Sequence, residues 1–213
     1  MKVKNVKEKN IYDYAARKLT AGRRTCAELV NWLVSQGFER EESENVTEEF
    51  RNLGYLDDEN YAADYFRYGA GKGWSNKRIQ RQLALKGVSG EDISAGLERY
   101  VSGKAPSVSE ERKTDSEERK TDSEERKTDA EEQITDAEEQ KIDAEERMAS
   151  DEYERALSVA RKMTSASDLD NGRLPEKIKA RVARRLAGYG YGTSVIYDTV
   201  RKIENELSER QDD

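Results

Sequence analysis

One pattern occurs three times in the chain: an apolar residue, a second apolar residue four positions later, and a glycine four positions after that. Its copies are Leu29–Leu33–Gly37, Ile79–Leu83–Gly87 and Val182–Leu186–Gly190. Apolar residues four apart share one face of a helix, and glycine readily adopts the left-handed conformation that ends a helix. The pattern therefore predicts three amphipathic helices, each closed by a glycine cap.

Each capped helix lies between two further segments with helical spacing of apolar residues. The preceding segments run over 12–19, 61–68 and 153–163, and similar spacing follows each glycine. Alternating β-branched residues, which mark strands, are missing. These observations predict an all-α fold, an elongated tandem array of three three-helix repeats. Each repeat would bury its apolar face against its neighbour.

The glycine spacing sets the expected domain boundaries. We expect the first repeat at 1–55, the second at 56–104 and the third at 151–208, followed by a tail at 209–213. The longer gap between the second and third glycines contains an acidic heptapeptide insert at 105–150. We expect this insert to be disordered or a solvent-exposed helix.

The heptapeptide block interrupts the larger pattern. Three identical copies of SEERKTD begin at Ser109, and three looser copies extend to Ser150. The block holds 8 Lys and Arg against 17 Asp and Glu, whereas the rest of the chain holds 30 against 28. Its identical copies have no apolar position and hence no coiled-coil seam. We interpret the block as a spacer; the alternative is that its acidic charge competes with DNA phosphates for a basic surface.

Composition argues against catalysis. The chain has one cysteine and no histidine, so it lacks a disulfide framework and the commonest general base and metal ligand. Asp57 and Asp58 follow a glycine and precede a helix, where helix capping explains them better than catalysis. The segment GKGWSNK lacks the spacing of a phosphate-binding loop. We expect a binding protein without cofactor or small-molecule substrate.

The amino-terminal segment has no apolar core typical of a signal peptide, and no run of about 18 apolar residues occurs. The sequence therefore predicts a cytoplasmic protein that does not engage a membrane.

Two segments resemble the central signature of the RecX regulatory proteins. They are GYLDDENYAADYF, Gly54–Phe66, and GKGWSNKRIQRQLALKGV, Gly71–Val88. The segment ARKLTAGRRTCAELVNWLVSQGF resembles the amino-terminal part of that family, and the third repeat resembles its carboxyl-terminal part more loosely. The resemblance implies that the tandem array of three-helix repeats is crescent-shaped. The heptapeptide block and the long loop before the third capped helix depart from the family pattern.

The resemblance also implies a function. It implies a bacterial modulator of the RecA recombinase, usually inhibitory, that lies in the groove of the RecA–DNA filament during homologous recombination, DNA repair and the SOS response. Single- or double-stranded DNA is then the second expected partner. One alternative is a stand-alone helical DNA-binding protein that acts without a recombinase. Another is a scaffold that binds only acidic protein surfaces.

Alignment of the three glycines predicts where contacts to phosphates or carboxylates would lie. The second and third capped helices each carry an Arg-x2-Arg pair, Arg78 with Arg81 and Arg181 with Arg184, whereas the first has Glu28 and Asn31. Forked guanidinium donors suit phosphate and carboxylate oxygens. Together with nearby cations they would form what we call the basic stripe. Its candidate residues are Arg23, Arg24, Lys72, Lys77, Arg78, Arg81, Lys86, Lys177, Arg181, Arg184 and Arg185.

The basic residues and the two tryptophans also have simpler structural interpretations. Each basic residue could belong to a solvated helix face, and Arg23 and Arg24 could serve loop solubility. Trp74 could stack on a base, although packing on the preceding helix explains such a residue more simply. Trp32 lies in an apolar helix and is expected in the core.

Overall fold

The structure of the protein, a computed structural model, describes residues 10–103, 146–170 and 172–212. Over these residues it is helical and has no β-strand, so the predicted all-α fold is confirmed. The only other regular elements of the described chain are a 3-10 turn at Ala166–Asp168 and an isolated bridge between Asp170 and Arg173.

Nine α-helices are found in the described ranges. The last five residues of the heptapeptide block, 146–150, belong to the seventh helix, whereas 105–145 of the predicted insert lie outside the described residues. The helices are α1 (Ile11–Thr20), α2 (Cys26–Ser35), α3 (Arg40–Asn52), α4 (Asp58–Gly71), α5 (Asn76–Leu85), α6 (Gly90–Val101), α7 (residues 146–161), α8 (Glu176–Gly188) and α9 (Thr193–Asp212).

The three predicted glycine caps have the same hydrogen bonds. Gly37, Gly87 and Gly190 have φ angles of +96°, +80° and +89°, in the left-handed region. In each cap the amide after the glycine donates to the carbonyl of the second apolar residue of the pattern, at 3.2–3.3 Å. The donor and acceptor pairs are Phe38–Leu33, Val88–Leu83 and Tyr191–Leu186.

The helix starts follow the sequence closely at two of three capped helices. Thr25 accepts the Glu28 amide at 3.1 Å, and Ser75 accepts the Arg78 amide at 3.2 Å, as expected of amino-terminal caps. At the third capped helix a proline stands at the start. Pro175 is the residue before α8, with an extended ψ of 145° and no side-chain hydrogen bond to the helix.

The chain divides into two compact units. The first comprises Met1–Phe66 and Gln80–Leu97, and the second comprises Arg67–Ile79 and Glu98–Asp213. The first unit contains a core of buried side chains from α1, α2, α3 and the loop before α4: Ile11, Ala15, Leu29, Leu33, Val46 and Leu56. The second contains a core from α7 to α9 and their connections: Ala156, Leu157, Ala160, Leu174, Val182, Leu186, Tyr191, Ile203 and Leu207.

Within the first unit, the carboxyl-terminal end of α5 meets the amino-terminal end of α2. The Thr25 hydroxyl donates to the Lys86 carbonyl at 2.8 Å. The Cys26 amide donates to the Asp58 carboxylate at 3.0 and 3.3 Å. Burial raises the pKa of the Asp58 carboxyl, and the Cys26 amide opposes that rise. We call this contact the first junction, formed by Thr25, Cys26, Asp58, Lys86 and Gly87.

Within the second unit, the carboxyl-terminal end of α8 meets the amino-terminal end of α5. The Ser75 amide donates to the Tyr189 carbonyl at 3.0 Å, and the Asn76 amide donates to the Glu152 carboxylate at 3.1 Å. A Cβ on Gly190 would lie 2.7 Å from the Ser75 hydroxyl oxygen. We call this contact the second junction, formed by Ser75, Asn76, Glu152, Tyr189 and Gly190.

The two junctions use equivalent positions. In each, the cap residue of one helix donates to the last carbonyls of another capped helix. In each, the amide of the residue after the cap also donates to a carboxylate from the first helix of the following repeat: Cys26 to Asp58 of α4, and Asn76 to Glu152 of α7. Free amides at a helix start and free carbonyls at a helix end thereby find partners, and their opposite partial charges attract. The pattern read from the sequence therefore marks both helix ends and contacts between repeats.

The first prediction concerns the cap glycine of the first junction. A Cβ on Gly87 would lie 2.3 Å from the Cβ of Ala27, whereas a Cβ on Gly37 would meet nothing within 4 Å. Gly37→Ala should cost about 1–2 kcal/mol from the left-handed φ alone. Gly87→Ala should cost more, by roughly 1–3 kcal/mol, because of overpacking. Denaturant unfolding measures both values.

Gly90→Ala is the control for that series. Gly90 has no positive φ and open space around it, so the substitution should change stability by less than about 0.5 kcal/mol or stabilise slightly. Equal costs for Gly37→Ala and Gly87→Ala would show that the first junction is not tightly packed at Gly87.

A second prediction follows from Tyr191, which is 5% exposed. Its hydroxyl donates to the Gly73 carbonyl at 3.0 Å, and burial raises the pKa of the phenol to about 12. The folded state thus holds this proton more tightly than the unfolded chain, whose tyrosine pKa is about 10. Stability from this group is present below pH 10 and is lost as the pH rises toward 12. The loss should be about 1.4 kcal/mol between pH 9 and pH 11.

Tyr191→Phe cannot lose a proton and isolates this effect. The stability advantage of the natural chain over the variant should shrink between pH 9 and pH 11, as measured by urea unfolding at both values. An advantage that stays constant would contradict the prediction.

Candidate nucleic-acid interface

Lys86, a predicted contact residue, is part of the first junction. Its Nζ lies 2.7 Å from Glu28 Oε1, and both side chains are partly buried, at 30% and 26% exposed. Its Nζ also lies 5.8 Å from the ring centroids of Tyr61 and Tyr65. The hydrogen bond to Glu28 raises the pKa of the Lys86 amine. The Lys86 amine is therefore engaged in contacts that stabilise the fold and is less available to a binding partner.

The other candidates of the first unit differ in their surroundings. Arg23 pairs with the Asp64 carboxylate while its side chain remains 62% exposed. Arg24 donates to the Arg23 carbonyl at 3.4 Å, and its Nε is enclosed without a hydrogen bond to the described residues. Arg81 is exposed and has no ion pair with any described residue. Of these side chains, Arg81 is the most available to a ligand.

Arg78 occupies in the second junction the position that Glu28 occupies in the first. Its guanidinium donates to the Gly188 carbonyl at the end of α8 and lies 4.6 Å from the Trp74 ring centroid. Trp74 in turn meets Tyr68 of α4 edge-on, with centroids 5.7 Å apart. The interpretation of Trp74 as a residue packed on the preceding helix is confirmed. Trp32 packs at the edge of the core of the first unit, as expected.

The candidates on α8 are exposed, and three make local contacts. Arg181 donates to the Met163 carbonyl at 2.7 Å, and Arg184 donates to the Ala180 carbonyl at 3.2 Å. The Arg185 guanidinium lies 4.7 Å from the Tyr189 ring centroid. Lys177 and, on α5, Lys77 are exposed. These side chains remain accessible because each uses at most a few of its donors internally.

Two of the predicted residues, Lys72 and Arg185, line one cavity of the second unit, together with two basic residues that the sequence analysis missed, Arg155 and Lys162. The cavity has a volume of about 350 Å³. Its remaining lining residues are Ala70, Gly71, Gly73, Ser158, Val159, Met163 and Tyr189. We call it the basic cavity.

Arg155 is held in place on one side only. Its Nη2 donates to Asn76 Oδ1 at 2.7 Å, while its Nε and Nη1 are enclosed without a hydrogen bond to the described residues. A signal for it did exist in the sequence. Arg155, Ser158, Val159 and Lys162 are spaced i, i+3, i+4 and i+7, which places them on one helix face.

The fold therefore gives the candidate residues three kinds of surroundings. Lys86 belongs to the first junction and Arg78 lies beside the second. Lys72 and Arg185 share the basic cavity, and the others are exposed or form a contact within their own unit. The continuous basic stripe across repeats, and the contact role of each of its residues, stay predictions.

The fold and these basic surfaces define a class: all-helical proteins of tandem three-helix domains with accessible cations. Residues 57–97 match the family model of the RecX second three-helix domain. The chain is 34% identical over 94 residues to the regulatory protein RecX of Mycobacterium sp. strain KMS, over 43% of this chain and 50% of that protein. It is 34% identical over 97 residues to that of Mycobacterium leprae strain Br4923, over 45% of this chain and 54% of that protein.

A solved structure gives the same result for the fold. The crystal structure of RecX from Lactobacillus salivarius superposes with a TM-score of 0.58 over 91% of this chain and 94% of that chain, at 16% sequence identity. The predicted resemblance to the RecX regulatory proteins and the array of three-helix repeats are therefore confirmed. The chain spans about half the length of the curated relatives it matches. Both of these relatives carry the name regulatory protein RecX.

No helix in the described ranges combines the length and apolar character that crossing a membrane requires.

A third prediction separates structural from accessible cations. Lys86→Met removes the pair with Glu28 and should destabilise the fold by about 0.5–1 kcal/mol, whereas Arg81→Met should change stability by less than about 0.5 kcal/mol. A double-mutant cycle combines Lys86→Met with Glu28→Gln, because the side-chain oxygen of glutamine can still accept the Thr25 amide at the start of α2. The cycle should give a coupling energy of about 0.5 kcal/mol. Zero coupling, by urea unfolding, would place Lys86 among the free cations.

Proposed function

We propose that this protein is a regulator that binds the filament of RecA recombinase on DNA and inhibits its ATPase and strand-exchange activities in recombination and DNA repair. The match of residues 57–97 to the RecX second three-helix domain carries the proposal. The name of the relatives, regulatory protein RecX, agrees with it. No chemical step is assigned to the protein, and its effect would come from binding alone.

The accessible cations supply the physical means. DNA and the surface of a nucleoprotein filament present phosphates and carboxylates, which guanidinium forks bind with paired hydrogen bonds. Arg81, Arg181 and Arg184 are exposed and could contribute such bonds without breaking a junction. A regulator that contacts several filament subunits restrains all of them at once. The effect should therefore occur below one regulator per recombinase.

The test adds the protein to RecA filaments on single-stranded DNA and follows ATP hydrolysis and strand exchange. We expect inhibition at ratios well below one per recombinase. The double variant Arg81→Glu with Arg184→Glu should raise the concentration needed for half-inhibition by roughly tenfold or more, because it places two carboxylates where anions are expected to bind.

Arg201→Glu with Lys202→Glu is the matched control. Both residues are exposed on α9, and the double change alters net charge equally. The control should inhibit like the natural chain, and thermal unfolding should show that both variants fold. An equal loss of inhibition in the two double variants would show that overall charge, and not the positions of Arg81 and Arg184, determines the inhibition. Tight binding to naked duplex with no effect on the filament would favour the stand-alone DNA-binding function.

A further inference from the structure

The basic cavity combines four positive side chains with a lining that contains no carboxylate. Its cations are Lys72 and Arg185 from the ends of α4 and α8, and Arg155 and Lys162 from α7 and its end. The chain has 45 Asp and Glu against 38 Lys and Arg. A lining with four cations and no acidic residue therefore differs in charge from the chain as a whole. Like charges repel when brought together, so such a cluster favours an anion between them.

Three of the four cavity cations contact neutral groups. The Lys72 Nζ lies 5.5 Å from the Tyr68 ring centroid, and the Arg185 guanidinium lies above Tyr189. Arg155 donates to the side-chain amide of Asn76. Ring faces and amide oxygens orient a cation without cancelling its charge. None of the four has an ion pair with a carboxylate of the described residues.

Helix ends account for part of this charge only. Lys72 follows the last residue of α4, Lys162 follows the last helical residue of α7, and Arg185 lies in the last turn of α8. A helix end carries about half a negative charge, so three ends offset roughly one and a half of four positive charges. A substantial positive charge therefore remains for a ligand.

We infer that the basic cavity binds a phosphate group of a nucleic-acid backbone. Its volume of about 350 Å³ lies at the small end of ligand pockets, about 300–1,000 Å³, and suits one phosphate with its sugar. Cations reach it from three helices, and Ser158 adds a hydroxyl. Donors from several directions match a tetrahedral phosphate better than a planar carboxylate, which one guanidinium fork satisfies in its own plane.

The inference rests on the proposed function only in taking DNA as the source of the phosphate. The central variant is Lys162→Glu, because Lys162 lines the cavity and belongs to neither junction. Lys202→Glu on α9 is the matched control, with the same charge change on an exposed residue of the same unit that does not line the cavity. Thermal unfolding checks that both variants fold.

The measurement is fluorescence anisotropy of a labelled single-stranded oligothymidylate, and of a duplex of equal length, at several salt concentrations. Lys162→Glu should weaken binding by roughly tenfold or more at low salt, and the slope of log affinity against log salt should become shallower by about one. Lys202→Glu should change affinity by less than about twofold. The affinity difference between Lys162→Glu and the natural chain is compared for the two probes. The probe with the larger difference, single-stranded or duplex DNA, is the source of the phosphate. Competition with a nucleoside triphosphate tests a free nucleotide as the source.

Three outcomes would overturn the inference. The first is no DNA binding by the natural chain at low salt. The second is an equal loss for Lys162→Glu and Lys202→Glu. The third is normal DNA affinity for Lys162→Glu with weaker binding to the recombinase, which would assign the cavity to an acidic protein surface.

The proposed function is tested separately. If the natural chain leaves recombinase filaments unaffected while the two variants still differ in DNA binding, the proposed function fails and the phosphate site stands. If the filament is inhibited but the variants bind DNA equally, the phosphate site fails and the proposed function stands.

Discussion

The fold depends on helix ends that find their hydrogen-bond partners in the following repeat. At the first junction the Lys86 carbonyl and the Asp58 carboxylate receive donors from the start of α2, and the second junction repeats this arrangement at the start of α5. A buried polar group without a partner costs about 1–3 kcal/mol. A single three-helix domain would expose or leave unpaired the groups that a junction satisfies. Consecutive repeats therefore stabilise one another through their backbones as well as through apolar contacts.

The junctions also explain why basic residues have two different uses. Lys86 directly follows the last residue of α5, and its amine donates to the Glu28 carboxylate of α2. The Arg78 guanidinium donates to the Gly188 carbonyl at the end of α8, where a cation offsets the partial negative charge. Lys72, Lys162 and Arg185 occupy helix ends too, yet they surround open space instead of a neighbouring helix. The same electrostatic preference thus places cations at both kinds of position. What they face decides whether they hold the fold together or remain available to a ligand.

The caps could be predicted from the sequence because their causes are local. A glycine in the left-handed region and a Thr or Ser before a helix need only their own segment. Asp58 shows where this reasoning ends: as an acidic residue in the first turn of α4 it was expected to serve that helix, but its carboxylate accepts from Cys26, 32 residues away. Lys162 was missed because α7 was interpreted only through its apolar residues. The cavity it lines also needs residues of α4 and α8, which only the folded chain brings together.

The described partners of the second junction lie at 75–76, 152 and 189–190, on either side of the tandem heptapeptides. Replication slippage in such a tract adds or removes whole seven-residue units, and it leaves every residue of the second junction present in the chain. The helix termini that meet at this junction are thus encoded separately from the tract, so the number of units can change without altering them.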